Sequence, residues 1–427
     1  MEKYVNELLN FIESSVSVYH NIHLIKAILK NFNYIELEEN KEWNLEANKS
    51  YFVVRGGASI ITFKVPATQE GFMIVASHND SPSFKVKPNG ELNAGSYKKL
   101  NTEPYGGMLI STWFDRPLGI AGRVFVKTKE GVDSRLVNLS GHNVVIPSLA
   151  AHLKGNNLEL NLQNDLLPVV GLTNESNSFM NQLKKVSIFS EDEEILSHDL
   201  FLYNKEKGCV AGFDNELIIS PKLDDLECVF ASLEAFLEAR PESNISVCAI
   251  FDNEEVGSGS NHGAASTFLT DVLERICDEL NLNKYVMYQN SMLVSADNAH
   301  AVHPAHPEKS DPTNNVHLNK GIVIKYHSSL SYTTDGISAG IFKAICDKAE
   351  VSYQDYTNRS DLRGGSTLGR IQLEKLSIKA LDIGLAQLAM HSSNEVVGSK
   401  DLKDMVKALK EFYQTKIILE NSNIIIK

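Results

Sequence analysis

Four strand-like runs in this chain each stop at a side chain able to bind a metal ion, and that pattern narrows the possible folds most. Phe72-Met73-Ile74-Val75-Ala76 is continuously apolar, as a strand buried on both faces requires, and leads into Ser77-His78-Asn79-Asp80. Ile245–Phe251 closes on Asp252-Asn253-Glu254-Glu255, and Met292–Ala296 closes on Asp297. A further strand and a short loop deliver His391 in Leu388-Ala389-Met390-His391-Ser392. Asp224 stands just ahead of a helix whose stripe, Leu226, Val229, Phe230, Leu233, Phe236 and Leu237, has i, i+3, i+4, i+7 spacing. In a twisted α/β sheet the carboxyl ends of neighbouring strands share one edge, and ligands collect there.

The rest of the chain fits that frame. At 427 residues it exceeds the roughly 250–300 at which a single core stops growing, so two domains or one domain with an insertion are expected. Val5, Leu8, Leu9 and Ile12 mark an N-terminal helix, and Tyr51–Val54 and Ser59–Val65 flank Arg55-Gly56-Gly57 as a hairpin. From about residue 90 to 215 the character changes. Arg123–Thr128 and Arg135–Leu139 alternate around Lys129-Glu130-Gly131, and polar stretches follow at Asn156–Asn164, Asn174–Asn181 and Glu191–Glu194. That segment reads as a separate, mostly β module. Gly321–Lys325 and Leu381–Leu385 predict further strands, Gly364-Gly365-Ser366-Thr367 a loop entering a helix, and Leu402, Met405, Val406, Leu409 and Phe412 a closing helix. The expected architecture is a three-layer, mixed-sheet α/β domain (residues 1–90 plus 216–427) interrupted by an inserted β-rich domain (91–215).

Composition excludes several function classes. Lys plus Arg is 41 against 54 for Asp plus Glu, a formal charge of −13, which argues against nucleic acid or an anionic membrane as partner. No run approaches the ~18 apolar residues of a membrane span, and MEKYVNELLNFIESS lacks the apolar core of a signal peptide. Five scattered cysteines without C-x-x-C disfavour disulfides and cysteine-based zinc sites. A cytoplasmic protein is expected.

Two imidazoles and three carboxylates on one sheet edge suit zinc better than calcium or magnesium, which prefer all-oxygen shells. Five ligands serve two ions if one carboxylate is shared, leaving each ion three protein ligands and an open position, the mark of catalytic zinc. Of the adjacent pair Glu254-Glu255, one carboxylate can bind metal while the other takes a proton from water. Asp80, two residues after His78, is placed to orient the imidazole. Each motif has an ordinary reading when taken singly. His78 reads as a satisfied histidine, Glu254-Glu255 as a helix start, Asp224-Asp225 as an N-terminal cap and Asp297 as a turn residue. The combination outweighs them, because four strand exits would each need a separate explanation.

The full set of strings resembles the aspartyl aminopeptidases and vacuolar aminopeptidase I-type enzymes, metallopeptidase family 18. The resemblance rests on Ser77–Pro88 (SHNDSPSFKVKP), Ser220–Asp224 (SPKLD), Asp252–Ser258 (DNEEVGS), Ser295–Pro304 (SADNAHAVHP) and Gln387–Ser392 (QLAMHS), which occur in family order across essentially the whole chain. It implies a zinc-peptidase fold and removal of N-terminal residues from peptides. It further implies two divalent ions, zinc with manganese or cobalt as alternatives. By this resemblance His78, Asp224 and Asp297 hold one ion, and Asp224 (bridging), Glu255 and His391 the other. Glu254 is then the general base and Asp80 the orienting carboxylate. His300, Lys325 and Tyr332 match the family's substrate pocket, and His152 matches a histidine that reaches a neighbouring subunit's site. The implied assembly is a homo-oligomer, commonly a dodecamer built from dimers. Lys325 suits an acidic N-terminal residue. A leucine-type preference, a related dimetal amide hydrolase and a non-catalytic assembly protein are the competing readings. A glycosidase would leave His78 and His391 unused.

Overall fold

A computed structural model describes residues 2–154, 160–173, 178–362, 364–420 and 423–427. Of the polar stretches singled out above, residues 156–159 and 174–177 lie outside the described residues.

Among the described residues the centre of the molecule is a nine-stranded mixed sheet. Its middle strands, Ile245–Phe251, Phe72–His78, Met292–Ala296 and Lys379–Gly384, are neighbours and all parallel. Alternate residues of these strands enter opposite cores, which is why the sequence runs are apolar without interruption. Met73 and Val75 pack on one side with the helices Glu2–Ser14, Leu223–Glu238, Gly336–Lys348 and Asp401–Gln414. Phe72, Ile74 and Ala76 pack on the other with Phe268–Glu279 and Leu368–Leu373. The architecture is therefore the three-layer α/β fold expected. The strand expected at Leu381–Leu385 runs Lys379–Gly384, because its parallel ladder with Met292–Ala296 starts at Lys379.

A second, six-stranded antiparallel sheet draws on residues between Ser83 and Asn204. One face forms an apolar core, burying Phe84, Leu100, Ile120, Val124, Val126 and Leu200, whereas Val132 and Leu136 on the other face are exposed. The hairpin expected around Lys129-Glu130-Gly131 forms from longer strands, Leu118–Lys127 and Val132–Asn138. Pairing with Glu194–Asn204 extends the first of them back to Leu118. Within the polar stretch at Asn174–Asn181, Ser178 caps a helix, Phe179–Ser187, that buries Phe179 and Leu183 against this sheet's core. Cys209–Ala211 pairs instead with Leu217–Ser220 in a third sheet, which also holds Ala386–Leu388 and Glu395–Gly398. Among the described residues no helix is long and apolar enough to cross a membrane.

Candidate metal centre

The parallel ladder decides where the polar strand ends meet. Phe251 pairs with His78, and Ser295 with Ala76, so three adjacent strands finish level. His78 is the last residue of its strand, and Asp297 directly follows Ala296. Asn253, in the left-handed region at φ 67°, turns the third chain into the single 3-10 turn Glu254–Val256. Asp224 and Asp225 open the helix Leu223–Glu238 with non-helical backbone, so both carboxyl groups leave its axis. His391, at φ 65°, follows the short strand Ala386–Leu388.

These five segments bring three groups of ligand atoms together, each group's atoms within 4.8 Å of one another: His78, Asp224, Asp225 and Asp297; His78, Glu254 and Glu255; Asp224, Glu255 and His391. Asp224 faces both ways. Its Oδ1 lies 3.6 Å from Nε2 of His78, and its Oδ2 lies 3.4 Å from Nε2 of His391, which is also 3.5 Å from Oε1 of Glu255. Asp224 Oδ1, Asp225 Oδ1 and Glu255 Oε1 are buried without a hydrogen-bond partner among the described residues. Buried carboxylate oxygens left bare are costly. A mixed imidazole and carboxylate donor set with bare oxygens at its centre fits a divalent ion of zinc's type.

The electrostatics carry the same sign. Burial, opposed by His78 and reinforced by Asp297, Asp80 and Asp224, raises Glu254 to about 7. Burial and the charge of Asp224 drive Glu255 well above the usual carboxylate range. Burial opposes the charge of His391, yet Asp224 and Glu255 push it up to about 10. The cluster is short of positive charge.

The supports are also visible. Asp80, 1% exposed, accepts from the amides of Glu254 and Glu255, both at 3.1 Å, and so fixes the turn carrying both carboxylates. Nδ1 of His78 meets the backbone carbonyl of Asp80 at 3.1 Å, with the carboxylate at 3.4 Å. Glu395 escaped the sequence reading. Its Oε2 accepts from the amide of Asp224 at 3.0 Å and its Oε1 from the amide of His391 at 2.7 Å, tying the two segments together. Its only signal was an acidic residue opening the otherwise apolar strand Glu395–Gly398. Asn298 was missed as a support: its side chain joins Leu223, Glu227 and Gln387 behind the cluster.

The remaining expected site residues lie around this centre. Lys325 is buried, donates to the carbonyl of Asn298 at 2.8 Å, and sits 3.7 Å from Asp297 and 5.3 Å from the ring centre of buried Tyr332. His300 is exposed and lines a cavity of about 410 Å³ with His303, Lys309, Arg359 and Met390, the residue before His391. His152 is exposed on the four-residue helix Ala151–Lys154 and belongs to none of the three groups.

Comparison with known proteins agrees with this geometry. Residues 11–413 match the family described as aminopeptidase I zinc metalloprotease (M18). The chain is 43% identical over 426 residues to the probable M18 family aminopeptidase 2 of Clostridium novyi, covering 96% of this chain and 98% of that one. It is 37% identical over 419 residues to the protein of the same description from Pseudomonas aeruginosa, covering 95% and 97%. Among solved structures it superimposes on a chain of the Ape4 and Nbr1 complex with TM-score 0.91 at 32% identity, covering 97% of this chain and 86% of that one. Crystalline prApe1 gives TM-score 0.91 at 26% identity, with 96% and 94% covered. With a match of this length and relatives this close, the chain belongs to the M18 family and is a zinc-dependent aminopeptidase.

Proposed function

We propose that the cluster holds two divalent cations and removes N-terminal residues from peptides, with a preference for Asp or Glu. One cation would be held by His78, Asp224 and Asp297 and the other by Asp224, Glu255 and His391. The observation that carries this reading is Asp224, whose two oxygens turn to different imidazoles at 3.6 and 3.4 Å. Zinc suits the donors, with manganese or cobalt as alternatives. When bound, such cations polarise the scissile carbonyl and lower the pKa of water.

The chain's own residues do the rest. Glu254, held near neutrality at about 7, takes the proton of the attacking water and returns it to the leaving amine. Asp80 keeps that carboxylate in place through the Glu254 amide. The histidines, Lys309 and Arg359 around the adjoining cavity support an acidic side chain at the substrate's first position. His300, Lys325 and Tyr332 are proposed as the substrate pocket, with His300 on this cavity and the buried Lys325 and Tyr332 beside Asp297.

Self-association belongs to the same proposal. One related structure is described as the mApe1 dodecamer of Saccharomyces, at 25% identity and TM-score 0.84. Segment 91–215 would be the oligomerisation unit, placing exposed His152 at a neighbour's site. The test is direct. The zinc-loaded protein should hydrolyse Asp- and Glu-arylamides faster than Leu-arylamide, lose activity to a chelator and regain it with zinc. Faster cleavage of Leu overturns the acidic preference, and loss of activity only when the α-amine is acylated identifies an aminopeptidase rather than an amide hydrolase. Sedimentation of His152→Ala against the parent protein separates its site role from assembly.

A further inference from the structure

The six-stranded sheet does more than sit beside the metal centre. Tyr105 ends its strand Tyr97–Tyr105, and the chain then turns through Gly106 and Gly107. Three consecutive residues touch three different parts of the site. The hydroxyl of Tyr105 donates to Oδ2 of Asp80 at 2.8 Å and itself accepts from Nδ2 of Asn253 at 3.0 Å. That same Asp80 oxygen receives the Glu255 amide. A Cβ on Gly106, which has φ +74°, would lie 3.1 Å from Cβ of Glu255 and 3.3 Å from its Oε2. The carbonyl of Gly107 meets Nδ1 of His391 at 2.5 Å, which leaves Nε2 aimed at Asp224 and Glu255. Two residues on, the Leu109 amide donates to the carbonyl of His391 at 2.9 Å.

We infer that the turn Tyr105-Gly106-Gly107 is a positioning element through which the inserted sheet sets the general-base turn and the His391 half of the centre together. The inference rests on the dimetal aminopeptidase reading above. Its physical basis is the geometry of the contacts. Asp80 has two oxygens and three donors to serve, and the tyrosine, fixed edge-on against Phe201 with ring centres 5.3 Å apart, determines the angle at which it meets the other two. A positioned imidazole needs its second nitrogen engaged, and here a backbone carbonyl of the inserted segment engages it. No side chain fits at Gly106 without pressing on Glu255, which explains a glycine at a left-handed turn in this place.

The test uses the full-length, zinc-loaded protein. Tyr105→Phe keeps the ring against Phe201 and removes only the hydroxyl. Turnover should fall about 10-fold or more, the scale of a hydrogen bond to a charged group, with KM and cation stoichiometry unchanged. Gly106→Ala should instead lower cation uptake in a calorimetric titration, because its methyl displaces Glu255. Tyr97→Phe, at the exposed far end of the same strand, should match the parent in every readout. Parent-like turnover in Tyr105→Phe, or parent-like cation binding in Gly106→Ala, overturns the inference. If Tyr105→Phe does not fold by circular dichroism, the Gly106→Ala titration alone decides. A parent protein that binds no cation and cleaves no aminoacyl arylamide takes down the functional reading and this inference with it; a normal parent with silent variants removes the inference alone.

Discussion

Two glutamates show how differently the two sheets use the same side chain. In the inserted sheet's periphery, Glu193 takes two hydrogen bonds from Arg135, at 2.7 and 2.8 Å, and that partner lowers its carboxyl to about 2. At the edge of the central sheet, Glu255 is driven the opposite way by burial and by Asp224, and one of its oxygens meets no donor. Glu193 is complete within the chain. Glu255, on the function proposed above, would be completed by a cation. A carboxylate's surroundings, more than its identity, separate a structural acid from a ligand.

The contrast can be broken by substitution, most severely at the base. Glu254→Gln should retain its cations and lose on the order of 10²–10⁴ in turnover; near-parental rates would remove Glu254 from its role. His391→Ala should lower both cation content and activity, whereas Glu193→Gln should change neither, since Glu193 pairs with Arg135 and belongs to none of the ligand groups. Elemental analysis of the two variants side by side checks this, and unchanged stoichiometry in His391→Ala would discredit that ligand. In packing, Phe251→Ala should cost about 3–5 kcal/mol by denaturant unfolding, because the ring is fully buried beside the site. Leu136→Ala on the wet face of the inserted sheet should fall within about 0.5 kcal/mol.

A separate effect depends on pH. Burial, opposed by Asn298 and reinforced by Asp401 and Glu395, raises Glu227 from 4.5 to about 8. The folded chain thus holds that proton more tightly than the unfolded one. Its contribution is fully present below pH 4.5 and is lost as pH rises toward 8. Glu227→Gln should flatten the fall in melting temperature across that window, and an unaltered slope would show that the carboxyl titrates normally.

The same contrast explains what was legible in the sequence. His78, Glu254, Glu255 and Asp297 could be read because strands buried on both faces are unbroken apolar words, and the polar residue after each one stands out. Asp224 and His391 needed their neighbours for meaning. Tyr105 and Glu395 could not be read, because each acts on partners far away in sequence: Tyr105 on Asp80 and Glu395 on the amide of Asp224. The inserted sheet was legible only as alternation. Its strand lengths come from cross-strand pairing, as with Leu118–Lys127 against Glu194–Asn204, and not from local pattern.

The level finish of the three central strands has a further consequence. Neighbouring strands lie about 4.8 Å apart, so His78 shares one group of ligand atoms with Asp297 from the strand on one side, and another with Glu254 and Glu255 from the strand on the other. The backbone lattice therefore acts as the ruler for this chemistry. Slipping one strand by a single rung would turn its donor to the opposite side of the sheet, so the register of these strands alone decides whether His78 and Asp297 can meet.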